Sequence, residues 1–248
     1  MASYTIRNRA RAPTYPMNPH PLSRRGFLQA IGAVLATGPG RAWTAGAHVP
    51  VEDWSRAPVG SKGVPPGWQK HETPGGHPAY DFTVVEHAGR RALAMKSAGE
   101  HSTIAREVQA DLAATPILAW QWRVLSFPRG ADLRARATSD ATGHIFAVWP
   151  RFPAFVRSQL IGYVWDEALP IGTVIPSRKT GTITFIVARR GDAGLGQWMD
   201  ERRNVADDYR TVFGEAPPPL PALALSIDTN DTRSPAEALF GRIELHAR

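Results

Sequence analysis

The sequence predicts a mainly β protein: a single antiparallel β-sandwich or jelly-roll-like domain with one amphipathic helix at about 194–213. Three observations carry that expectation. About nine short apolar or alternating runs are separated by turn residues, the pattern of sandwich and barrel strands. In the run after Thr115-Pro116, Leu118, Trp120, Trp122 and Val124 alternate with Ala119, Gln121 and Arg123, the period of two of a half-buried strand. Leu195, Trp198, Val205, Tyr209 and Val212 form one helical stripe, closed by Gly214 and Pro217-Pro218-Pro219.

In chain order, the expected division is a leader (1–47), an extended Pro/Gly-rich lead-in (48–78) and the sandwich (79–248). The formal net charge is +7, from 29 Lys and Arg against 22 Asp and Glu. Six of the basic residues (Arg7, Arg9, Arg11, Arg24, Arg25 and Arg41) fall in the leader, which has no acid. The rest of the chain is therefore nearly neutral, which argues against a nucleic-acid partner. Ser23-Arg24-Arg25-Gly26-Phe27-Leu28-Gln29 resembles a twin-arginine export motif. It is followed by a short apolar run and by Ala45-Gly46-Ala47, a small-x-small cleavage signature. The expectation is a periplasmic or extracellular protein whose partner in export is the twin-arginine translocase. No other segment is long and apolar enough to span a membrane as a helix. The chain has no cysteine, which removes disulfides, thiolate metal sites and a cysteine nucleophile.

Trp54 and Trp68 in the lead-in are expected to pack onto the sandwich. Strands are expected at Phe82–His87, Ala92–Ser97, Thr103–Val108, Ile117–Leu125, Gly143–Trp149, Leu160–Trp165, Thr182–Arg189, Ala222–Asp228 and Leu239–His246, with Ala88-Gly89-Arg90 as a hairpin-sized turn. Pro-Pro-Gly-Trp (65–68), Thr-Pro-Ile-Leu-Ala-Trp-Gln-Trp (115–122), Ile-Gly-Tyr-Val-Trp (161–165), Arg-Asn-Val-Ala-Asp-Asp-Tyr (203–209) and Asp-Thr-Asn-Asp-Thr (228–232) follow in order. Together they resemble a bacterial exported family known only as a domain of unknown function, DUF3047. The resemblance implies one β-rich domain, similar in architecture to carbohydrate-binding jelly rolls, and brings no catalytic residues. The chain departs from the family pattern at Gly162, where Asn is usual.

Strand phase supplies the candidate ligand face. Gln121 and Arg123, Ser226 and Asp228, and Arg242 and Glu244 point away from the apolar residues of their strands. If those strands are neighbours, they form one polar face, to which Tyr163 and Trp165 add an aromatic platform. Planar donors, carboxylates and aromatics hold polyhydroxylated ligands such as polysaccharide. The same residues also suit an ordinary solvated face with cross-strand ion pairs. Asp228, Asn230 and Asp231 offer oxygens to a hard cation, Ca²⁺, or an Asx-rich turn; no cofactor is required. Cleavage after Ala47 would expose His48, a copper ligand if His71, His77 or His144 joined it. No nucleophile elbow, P-loop, dinucleotide fingerprint or His-Glu-x-x-His is present. Asp166 and Glu167 face opposite ways on a strand and make a poor glycosidase pair. The expectation is a non-catalytic binding or envelope-accessory protein; the alternative is a glycan-active hydrolase, lyase or copper-dependent oxygenase.

Overall fold

The computed structural model describes residues 48–71 and 77–248; the leader and its twin-arginine motif lie outside them. The described strands are β1 (His48–Glu52), β2 (Gln69–His71), β3 (Asp81–His87), β4 (Arg90–Ser97), β5 (His101–Ala110), β6 (Ile117–Ser126) and β7 (Ala141–Trp149). After them come β8 (Gln159–Asp166), β9 (Val174–Pro176), β10 (Ile183–Arg190), β11 (Met199–Asn204), β12 (Leu220–Asp228) and β13 (Ala236–His246). A one-turn helix, α1 (Ala154–Arg157), precedes β8, and α2 (Val205–Phe213) follows β11.

The strands form two sheets. The first has the order β11-β6-β13-β4-β3, with β1 added to β13. The end of β13 opposite β1 pairs with β4, so one long strand carries both, at different heights. The second has the order β2-β5-β12-β7-β8-β10-β9. Every pairing is antiparallel except β8 with β10. All nine expected strands are present. Those not foreseen (β1, β2, β9 and β11) are short or polar segments, mostly at sheet edges, that carry little hydrophobic pattern of their own.

The inward alternation of β6 holds along its length. Leu118, Trp120, Trp122 and Val124 are each at most 1% exposed. Trp120 meets Trp122 edge-on at 5.4 Å and stacks on Tyr163 at 5.4 Å, while Trp122 lies 5.8 Å from Trp165. Tyr163 and Trp165 come from β8, so these four rings join the two sheets across the core. Trp54 and Trp68 pack as expected, stacked at 5.8 Å and buried.

The helix is shorter than its stripe suggested. Residues 199–204 are a strand paired with Ile117–Trp122, and only Val205–Phe213 is helical. The stripe held the signal, because its i+7 position is Arg202, a gap that a true amphipathic helix fills with an apolar residue. Asn204 caps α2 by accepting from the Asp207 N–H at 3.1 Å. Gly214, at φ 74°, ends it by donating to the Arg210 carbonyl at 2.9 Å.

Candidate functional site

The expected polar face divides between the two sheets. Gln121 and Arg123 on β6 do lie beside Arg242 and Glu244 on β13, because those strands pair directly. All four belong to the first sheet, on the side away from the core. Ser226 and Asp228 belong to β12, in the other sheet. Tyr163 and Trp165 are 0% and 1% exposed in the core. The Tyr163 hydroxyl donates to Asp208 at 2.8 Å and the Trp165 indole N–H to the Gly191 carbonyl at 2.8 Å. The aromatic platform expected of them is therefore absent from the surface. A nearly unbroken apolar run in β8 marked it as a strand covered on both faces.

Another tryptophan supplies an aromatic surface on the first sheet. Trp198, just before β11, packs on Ala92, Ala94 and Leu239. Gly241 leaves room for it: a Cβ there would come 3.0 Å from Gln121 and 3.3 Å from the Trp198 ring. The Arg90 guanidinium sits 5.6 Å from the indole. Gln121 donates to Asp200 at 2.7 Å, and Arg123 Nη1 contacts the His87 ring. Arg90 Nη1, Arg123 Nε and the Trp198 indole N–H make no hydrogen bond. Arg90 Nη1 has only a 3.9 Å ion pair with Asp200. Two guanidinium nitrogens without hydrogen bonds thus lie beside a partly exposed indole whose own N–H is also unpaired, and all three of these atoms are buried.

On the second sheet, Ser226 and Asp228 join a buried polar cluster. Thr103, His101 and Ser226 are mutually within 2.8–3.0 Å. His144 lies beside them, stacked on Phe146 at 5.2 Å. Lys179 projects in from the segment before β10. Its ammonium lies 3.3 Å from Asp228, 2.5 Å from Asp231, 3.9 Å from Asp140 and 3.2 Å from the Asn230 side-chain oxygen. The three residues expected to offer oxygens to Ca²⁺ do converge, but an ammonium occupies their centre, and a metal would have to displace it.

Burial dominates the electrostatics of this cluster. It raises the Asp228 carboxyl to about 7 despite the attraction of Lys179. Burial also lowers His144 to about 3, helped by the neighbouring His101, and lowers His101 to about 4, helped by Lys179. Lys179 itself is raised: burial lowers it, but Asp228, Asp231 and Asp140 together outweigh that. Shifts of this kind accompany catalytic sites. Here, however, Ser226 is 0% exposed and His144 3%, and Lys179 fills the space among the carboxylates. Its inner members are closed to solvent, while Lys179, at 28%, and Asp231, at 21%, still reach it, so the cluster is a mostly buried polar brace.

The apolar part of the same face is also covered. Leu133 and Leu169 pack with Phe146, Val148 and Phe185. Gly162 is what lets those rings lie close, since a Cβ there would come 2.6 Å from Phe146 and 3.0 Å from Phe185. The Asn that the resemblance leads one to expect at 162 would not fit beside this Phe146.

His48 meets His246, and neither His144 nor His71 comes near it in the strand pairing: His144 is in the second sheet, and His71 pairs with Thr103 there. Glu244 contacts both His48 and His246. Burial would raise the Glu244 carboxyl, but hydrogen bonds from the two histidines and the charge of Arg242 leave it below the usual carboxylate range. A cleft of about 560 Å³ lies between β2 and residues 77–80, lined by Lys70, His77 and Tyr80 among others. None of the residues expected on the polar ligand face lines it. Among the described residues, no helix is long and apolar enough to cross a membrane.

Solved structures of similar general architecture include the family 11 carbohydrate-binding module of Clostridium thermocellum, in complex with a β-1,3-1,4-mixed-linked tetrasaccharide. It is 9% identical, with a TM-score of 0.40 over 82% of this chain and 96% of that one. The family 30 carbohydrate-binding module of a C. thermocellum cellulosomal cellulase is 11% identical, with a TM-score of 0.42 over 82% and 98%. The xyloglucanase domain of a type three effector from Sinorhizobium fredii, in complex with cellobiose, is 10% identical, with a TM-score of 0.40 over 78% and 98%. At these values the likeness is to general strand arrangement and says nothing of a ligand. A search of curated proteins found no match. The model of the family described as "Protein of unknown function (DUF3047)" matches residues 66–244, well over half of the chain, and the protein belongs to that family.

Proposed function

We propose that the protein is an exported, non-catalytic β-sandwich protein that binds a polar, polyhydroxylated ligand on the outer face of the first sheet. One observation carries this reading: the partly exposed Trp198 indole lies on a small-residue floor, with Gln121, Arg123 and Arg90 and the Asp200 carboxylate around it. An aromatic surface beside planar donors and a carboxylate suits a sugar ring and its hydroxyls. Binding at that face needs no activated nucleophile.

The test is binding of the protein to a panel of cell-wall and exopolysaccharide fragments. Arg123→Met removes a charged donor, and Trp198→Ala removes the aromatic surface. Loss of one charge-assisted hydrogen bond corresponds to about 1.5–3 kcal/mol, a weakening of about 10- to 150-fold. Melting of Arg123→Met should stay near the parent, since its side chain fills no core position. A fragment that binds the parent and both variants equally well would place the site elsewhere.

Export rests on the leader alone. Replacing Arg24 and Arg25 with Lys is expected to hold the precursor in the cytoplasm, because the signal is read through its paired guanidinium groups. Fractionation that finds mature protein of that variant in the periplasm at the parental level would overturn this part of the proposal.

A further inference from the structure

β1 and β13 place His48 directly opposite His246 in antiparallel register. Their imidazoles stack with centroids 4.9 Å apart. Glu244 lies two residues along β13 and therefore on the same side of the strand. Its Oε2 lies 3.0 Å from His48 Nε2, and its Oε1 lies 2.9 Å from His246 Nε2. One ligand atom from each of the three residues lies within 4.8 Å of the other two.

We propose that His48, Glu244 and His246 form a binding site for a borderline divalent transition metal, of which Zn²⁺ is the reference ion. Two imidazole nitrogens and one carboxylate oxygen are a ligand set such ions accept, at about 2.0–2.2 Å. Tetrahedral coordination at that radius spaces ligand atoms roughly 3.3 Å apart. Both carboxylate–imidazole separations are already close to that value, and rotation of the exposed His48 ring can close the remaining one. The side chain of Glu244 is 14% exposed, those of His246 and His48 26% and 47%. The carboxylate is anchored, while the imidazoles can be reached by an ion from solvent. Two paired strands fix the three backbones, as a metal site requires. Three protein ligands leave a fourth position for water.

A competing cation is close by. Arg242 Nε lies 3.5 Å from Glu244 Oε1, on a side chain 60% exposed. It can swing into solvent when a metal takes the carboxylate. Without a metal the four residues are a surface ion-pair group that adds little to stability. The site lies on the same outer face of the first sheet as Trp198, and Glu244 was among the residues expected on the ligand face, but it uses none of Trp198, Gln121, Arg123, Arg90 and Asp200.

Calorimetric titration of the full chain with ZnCl₂ tests the proposal, with CaCl₂ as the oxygen-seeking control. The parent is expected to bind one zinc at this site, with an affinity on the order of micromolar, and to melt higher as zinc is added. Glu244→Gln and His246→Gln should each weaken that binding more than about tenfold, while melting like the parent without zinc. Arg242→Gln should tighten it by freeing the carboxylate, and His87→Gln, outside the site, should leave it unchanged. Absence of zinc binding by the parent up to millimolar concentration would overturn the proposal. Equal zinc affinity in the parent, Glu244→Gln and His246→Gln would overturn it too, by assigning the binding to other histidines.

Discussion

Truncating Trp120 to Ala is expected to destabilise the protein by about 3–5 kcal/mol, through lost transfer energy and the cavity left behind. The ring is 1% exposed and touches Trp122 and Tyr163, so its removal opens a hole at the junction of the two sheets. Trp122, fully buried against Trp165 and Phe240, should behave alike. The check is urea unfolding of both variants beside Trp198→Ala, whose partly exposed indole lies outside this core. The largest losses belong to positions 120 and 122. If both of those variants unfolded at the parental urea concentration, the inward face of β6 would not be the core.

A comparable loss is expected from Glu52→Ala. The Glu52 side chain is 3% exposed and is the knot of the lead-in. Oε2 accepts from the Trp68 indole N–H at 2.8 Å and pairs with Arg106 on β5. Oε1 accepts from the Trp54 N–H at 2.8 Å and the Asp53 N–H at 3.0 Å. Trp54 in turn donates its indole N–H to the Gly241 carbonyl at 2.8 Å. One carboxylate thus links the lead-in to the second sheet through Arg106 and to the first through Trp54. Removing one partner of a buried charge pair costs about 3–5 kcal/mol. The lower end suits this case, because the Arg106 side chain is 15% exposed and can recover some hydration. Glu52→Gln keeps the volume and one acceptor, so it should fall between the parent and Glu52→Ala. A loss below about 1 kcal/mol for Glu52→Ala, by urea unfolding, would show that residues 48–71 contribute little to the stability of the sandwich.

The strands, their phase and the stop of α2 at Gly214 were legible in the sequence. Each depends on chemistry within a few residues: alternation exposes one face to water and hides the other, and a glycine adopts positive φ at little cost. That is why Trp120 and Trp122 could be placed inward without knowing their partners. Alternation does not say which strands are neighbours, nor whether the outward face stays bare. β12 joined the second sheet, which took Ser226 and Asp228 away from Gln121 and Arg123. The second sheet is covered by the first sheet on one side and, over this part of the other, by Leu133, Leu169 and Lys179 from the connecting segments, so polar residues on it became a largely buried cluster. β11 became a strand because the edge of β6 had backbone donors and acceptors to pair, a demand that Met199–Asn204 could meet and that no local period announces. The meeting of His48 with His246, 198 positions apart, was likewise decided by strand pairing. Local sequence determined the elements and their inward faces, and tertiary pairing decided which polar side chains came to share a surface.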